Sequence, residues 1–187
     1  TYGQVAKLTA SDAAASDNFG HNVAINGVDI VVGARNDDDN GGGSGSAYVF
    51  RTTDGGATYV QAAKLTASDA GASDYFGYVV AIDGATVVVG AYGKNSETGA
   101  VYIFSTRDNG ISYFEMAKLT ASDAASGDRF GISVAIDGDT VVIGAYYDDD
   151  GGSKSGSAYV FRTNDGGATY IEVAKLTAAD EASGDEF

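Results

Sequence analysis

The chain has no cysteine, no proline and no tryptophan, and only one methionine and one histidine. Without cysteine there is neither a disulfide framework nor a thiolate metal site. No apolar run approaches the ~18 residues of a membrane span. Positive charge is scarce: 11 Lys and Arg stand against 26 Asp and Glu, a formal net charge of −15. That excess opposes nucleic acid and anionic membrane as partners, since both are polyanions. It favours solubility and divalent cations. No signal peptide is visible. Thr1 is not a native start, so the chain reads as a processed product or an excerpt.

Glycine is abundant instead, 27 of 187 residues, which suits frequent tight turns. The apolar positions are mostly Val, Ile, Ala, Tyr and Phe, a strand-favouring mixture. Above all the sequence repeats. "KLTASDA" begins at Lys7, Lys64 and Lys118, and "KLTAADE" at Lys175, with spacings of 57, 54 and 57. "FG" begins at Phe19, Phe76 and Phe130, and Phe187 falls where a fourth is due. The units run approximately over 1–57, 58–111 and 112–168, with a partial unit at 169–187. Their length differs in one segment, "RNDDDNGGGS" (35–44), "YGKNSET" (92–98) and "YYDDDGGSKS" (146–155). An insertion confined to one segment marks a surface loop.

Each unit carries four strand signals and no helical periodicity of useful length. The first signals are 20–25, 77–82 and 131–136, each followed by Asn-Gly or Asp-Gly, the dipeptides of a type I′ hairpin turn. The second are 29–34, 86–91 and 140–145, whose continuous β-branched runs predict burial on both faces. The third are 46–51, 100–105 and 157–162. The fourth are 58–66, 112–120 and 169–177, and residues 1–9 supply an extra fourth strand. The predicted fold class is all-β: three propeller-type blades of four antiparallel strands. Propellers close with about four to eight blades. Three blades would leave two apolar end faces, which predicts an excerpt of a longer repeat, a ring closed by several chains, or an open stack.

The turns between third and fourth strands read "TTDGGATY" (52–59), "TRDNGISY" (106–113) and "TNDGGATY" (163–170). They resemble the Asp-box hairpin of sialidases and other propellers. Asp54, Asp108 and Asp165 can accept backbone hydrogen bonds across the turn, a structural role. The order of "FG", "SVAIDGDTVVIGA", an acidic Gly-rich loop and "GSAYVFR" resembles the FG-GAP repeat, which is related to the repeats of integrin α-chain propellers. With "AKLTASDAASGDRFG" between units it is similar to the variety common in secreted and surface proteins of microbes and algae. The resemblance implies a β-propeller and an extracellular setting. Integrin-type repeats carry calcium in an Asp-rich loop between the first two strands. Here that connection is two residues long, so that site cannot be carried over.

Two sets of acids remain as candidate Ca²⁺ ligands, because Ca²⁺ takes six to eight oxygens. One set is the pair repeated in each linker: Asp12 and Asp17, Asp69 and Asp74, Asp123 and Asp128, Asp180 and Asp185. Its bland counterpart is an inter-blade joint, in which one Asp caps a turn and the Phe plugs the gap. The alternative set is the loop acids Asp37, Asp39, Asp148 and Asp150, otherwise a solvated rim. Adjacent Asp side chains point apart, and the middle loop has Lys94, Asn95 and Glu97 instead. His21 has no catalytic partner in view. Tyr75, Tyr92, Tyr146 and Tyr147 lie at loop edges, which suits either a sugar or protein contact or plain solvent-facing rings.

No one-off polar constellation breaks the repeat, so no catalytic residue is assigned. The expected function is a non-enzymatic, extracellular structural or adhesion protein. It would associate with itself or bind other extracellular proteins or glycans, with Ca²⁺ as a candidate stabiliser. The alternatives are a propeller hydrolase or lyase acting on glycans, and a ligand-binding module like the integrin head.

Overall fold

The computed structural model describes residues 3–180 and 182–185, and Phe187 lies outside them. Twelve strands form three four-stranded antiparallel sheets. The first blade is β1 (Phe19–Asn26), β2 (Asp29–Ala34), β3 (Ser46–Arg51) and β4 (Val60–Leu65). The second is β5 (Val79–Asp83), β6 (Thr86–Ala91), β7 (Ala100–Ser105) and β8 (Phe114–Leu119). The third is β9 (Ser133–Asp137), β10 (Thr140–Ala145), β11 (Ser157–Arg162) and β12 (Ile171–Leu176). The sheets thus divide the chain in a different phase from the sequence units. One short turn, Lys94–Glu97, winds left-handed, with Asn95, Ser96 and Glu97 at positive φ.

Two local expectations need correction. The β1–β2 ladder runs out to Asn26 opposite Asp29, one residue further than the Asn-Gly signal placed it. The loop is therefore Gly27-Val28, and only the glycine takes positive φ. That is the Gly-first pattern of a II′ turn rather than I′, and Gly84 and Gly138 repeat it. Residues 3–9 form no strand. A strand exists by pairing, and the first blade already has its own fourth strand.

Blades pack face to face through the "FG" phenylalanine. Phe76 and Phe130 are fully buried, each edge-on to a Tyr and a Phe of its own blade, Tyr102 and Phe104 or Tyr159 and Phe161. The first junction sets Val31, Val49 and Leu65 against Phe76, Val80, Ile82, Val87 and Val89. The second sets Val88, Ile103 and Leu119 against Phe130, Val141 and Ile143. The glycines explain themselves here. A Cβ on Gly33 would overlap the carbonyl of Gly77, and one on Gly90 that of Gly131. The linker then zips along the previous blade's loop: Tyr75 and Phe76 donate their N–H groups to Gly43 and Ser44 at 3.0 Å. Arg129 and Phe130 do the same to Glu97 and Thr98.

Candidate functional site

The acids of the linkers and loops converge, but on a lysine. In the first blade Lys64 Nζ, on β4, lies 2.6 Å from Asp12, 3.0 Å from Asp37 and 2.5 Å from Asp39. Tyr48 donates its hydroxyl to Asp37 at 2.8 Å. The third blade repeats this with Lys175, 2.7 Å from Asp123, 3.1 Å from Asp148 and 2.5 Å from Asp150. There the Tyr159 hydroxyl lies 2.8 Å from Asp123 and 2.6 Å from Asp148, which share its one proton. The structure thus joins the first member of two linker pairs, Asp12 and Asp123, to the loop acids, a grouping that cuts across both candidate sets.

The cluster ties the incoming linker, the loop and the outer strand of one blade together. Burial opposes the charge on Lys64 and Lys175, but the carboxylates outweigh it and raise both ammonium pKa values. Burial likewise opposes the charge on Asp12, Asp37 and Asp123, and the Lys and Tyr hydrogen bonds more than offset it. Tyr48 and Tyr159 are pushed up by burial and by their carboxylate acceptors.

The second blade solves the same problem with another cation. Asp69 accepts from Lys118 at 2.7 Å and from Tyr102 at 2.6 Å. Burial opposes its charge, but these donors hold its carboxyl at about 2. Lys94, buried, lies 2.7 Å from Asp74 and 3.5 Å from Asp69, and also donates to the Asp69 carbonyl.

The second acid of each pair is a turn cap. Asp17, Asp74, Asp128 and Asp185 each accept a backbone N–H three residues upstream, from Ala14, Gly71, Ala125 and Ala182, all at 2.7 Å. Asp180 is exposed. Asp12, Asp37 and Asp39 offer oxygens within 4.8 Å of one another, as do Asp123, Asp148 and Asp150. That spacing would suit Ca²⁺, but Lys64 and Lys175 stand at hydrogen-bond distance from all three acids. An ion and an ammonium cannot share that position, so the donor set does not fit a metal while the lysine is in place.

Asp54, Asp108 and Asp165 are spent inside their own turns. Asp54 accepts from Thr52 Oγ1 at 2.8 Å, Thr58 N at 2.9 Å and Thr58 Oγ1 at 2.6 Å. Asp108 and Asp165 repeat the set. The hydroxyl and amide donors hold Asp54 and Asp165 at about 2 and lower Asp108 as well.

A different group of side chains breaks the repeat and gathers on the rim where linkers and loops meet. His21 packs tilted against Tyr78 with ring centroids 4.8 Å apart, and Tyr78 meets Tyr92 at 4.6 Å. Tyr92 stacks on Tyr75 at 5.3 Å. Arg129 continues the row, 5.7 Å over Tyr92 and 4.5 Å over Tyr147. It also bonds Glu97 and Tyr146, both at 2.6 Å. Lys154 lies 4.1 Å over Tyr147. A cleft of ≈270 Å³ opens beside this end of the row, lined by Glu97, Asp128, Arg129, Tyr147, Asp149 and Lys154. The loop-edge tyrosines were visible in the sequence. Arg129 and Lys154 were not, although comparing the copies position by position marks Asn18, Tyr75 and Arg129 as variable.

The FG-GAP repeat family model matches residues 2–50, 59–104 and 113–161. No curated protein matches the chain. Among solved structures, the crystal structure of Saccharomyces cerevisiae Sqt1 aligns over 89% of this chain and 38% of its own, with a TM-score of 0.55 and 11% identity. At that identity the likeness speaks for the fold alone. The chain spans well under half of that protein's length.

Proposed function

Because the chain belongs to the FG-GAP repeat family, we propose that it is a non-enzymatic, extracellular or cell-surface structural and adhesion protein. It is a β-propeller-type scaffold that contacts further copies of itself and takes protein or glycan partners across its linker rim. One observation carries this reading: the framework acids repeat blade after blade in structural pairs, while the side chains that vary between blades gather in one Tyr–Arg row. Tyrosine and arginine are the residues that most often anchor binding surfaces, offering large contact area at low entropic cost. The strong negative charge suits a soluble, exposed protein. Among the described residues no helix is long and apolar enough to cross a membrane. Calcium enters this reading only by displacing Lys64 and Lys175.

The test is binding of the chain and of a Tyr147→Ala/Arg129→Ala variant to immobilised polysaccharides and purified extracellular-matrix proteins. Saturable binding by the wild type, lost in the variant, is expected. Absence of binding to every probe would overturn the rim assignment.

A second reading is a glycan hydrolase or lyase, and the cleft that brings Glu97 and Asp149 beside Arg129 and Tyr147 favours it. Release of reducing ends or unsaturated sugars, abolished by Glu97→Gln, would establish that reading and remove the non-enzymatic one.

A further inference from the structure

We infer that the two end faces of the three-blade arc are halves of one junction, and that the third blade of one chain docks on the first blade of a second copy. This deepens the self-contact named above and is independent of the rim.

The inference comes from comparing blades within the molecule. Val80 and Ile82 are 5% and 8% exposed, covered by the first blade, whereas their counterparts Val23 and Ile25 are 62% and 66% exposed. With Leu8, Phe19, Ile30 and Val32 they line an apolar trough of ≈380 Å³. At the other end Leu176 is 46% exposed and Val142 36%, where Leu65 and Leu119 are 3% and 4%, and Val31 and Val88 are 0%. The residues open at each end are thus those that the first internal junction buries and the second covers at least in part, Val134 and Ile136 being half-buried there. The internal junctions therefore serve as templates for what the ends accept. The register is set by polar contacts too. Asp83 accepts the Gly138 N–H of the next blade at 2.7 Å. Asp137, its counterpart, is placed to accept the Gly27 N–H of a second copy.

The junction has room for one linker. Gly184 N now bonds Ser153 O at 2.9 Å, as Ser73 N bonds Gly42 O within the chain. Docking exchanges this segment for residues 14–17 of the incoming copy. The exchange is like for like, since both are Asp-capped turns closed at 2.7 Å. Residues 3–9, which form no strand, yield their place to β12. Contacts between unlike faces run head to tail, closing into a ring or extending as a filament.

The experiment uses analytical ultracentrifugation of three proteins: the wild type, Val23→Glu/Ile25→Glu and Val142→Glu/Leu176→Glu. All four positions are exposed, and melting curves check that each variant folds. The wild type should associate, more tightly at high salt, because screening relieves repulsion between strongly acidic chains. Each variant alone should be monomeric, and an equimolar mixture should form 1:1 dimers through the intact faces. A wild type that stays monomeric at ~100 μM would overturn the inference. So would one variant that self-associates while the other does not, the signature of a symmetric face-to-face dimer.

Discussion

Lys94 reaches Asp74 at 2.7 Å, both side chains buried, from the loop position that the first and third blades give to Asp37 and Asp148. The repeat has exchanged an acid for a base at one place while keeping the linker acids around it. The second blade's cluster is consequently neutral, while the other two keep an excess of negative charge. Lys94→Met should leave Asp74 buried without its cation, at a cost of about 3 kcal/mol. Lys7→Met, on an exposed segment, should change stability by less than ~0.5 kcal/mol. Chemical denaturation of both variants checks the contrast.

The plug phenylalanines should differ by position. Phe130 is wholly enclosed between two blades, whereas Phe19 borders the open trough. Phe130→Ala should cost about 3–5 kcal/mol, the range for truncating a buried aromatic. Phe19→Ala should cost clearly less in the monomer, measured with the end-face variant Val142→Glu/Leu176→Glu as the background. Equal losses would mean that Phe130 does not carry its junction.

Much of this was legible in the sequence because the repeat displays each strand three times. The middle strands β2, β3 and their copies begin and end where the β-branched and aromatic runs do. What remained hidden were contacts that no local pattern announces. Lys64 meets Asp12 across 52 residues, and a lysine in an alternating strand looks like any solvent-facing residue. The linker pairs admit two readings in the sequence, a shared cation site or a joint in which one Asp caps a turn. In the fold the later acid turns back on its own backbone and the earlier one reaches across to β4. Residues 1–9 carry the wording of a fourth strand, yet strand formation depends on a neighbour that wording cannot supply.

Glycine at the junction should matter more than glycine in the hairpins. Gly77 and Gly84 both take positive φ, 82° and 54°. A Cβ on Gly84 meets open space, whereas one on Gly77 overlaps the Ser46 carbonyl across the junction. Gly84→Ala should cost about 1 kcal/mol for its backbone conformation alone. Gly77→Ala adds a backbone clash and should cost at least twice that. Thermal melts of the two variants compare them directly.

Asp69 supplies a pH test with a defined sign. Lys118 and Tyr102 hold its carboxyl at about 2, below the ordinary carboxylate value. A depressed folded-state pKa contributes stability above the unfolded value of ~3.9, and that contribution fades as pH falls towards 2. Asp29 and Asp128, raised by burial, act with the opposite sign, so the informative quantity is a difference. Asp69→Asn should be less stable than the wild type by about 1 kcal/mol at pH 6, discounted for its exposure. The gap should close between about pH 4 and pH 2. A gap independent of pH would mean that packing, not charge, is what the substitution removes.

Lys64 tests whether calcium has a part in the first blade. It stands among Asp12, Asp37 and Asp39 and supplies the positive charge that Asp37, buried, requires. Lys64→Ala leaves three carboxylates facing one another and should lower stability by about 2 kcal/mol, less than a fully buried pair because Asp39 is solvated. With the lysine present, EDTA and millimolar Ca²⁺ should give the same melting temperature. In Lys64→Ala, Ca²⁺ should recover part of the loss, since three oxygens within 4.8 Å then lack a cation and Ca²⁺ readily accepts such donors. A Ca²⁺-dependent rise in the wild type would show that the ion displaces the ammonium, and would place a metal where the structure places a side chain.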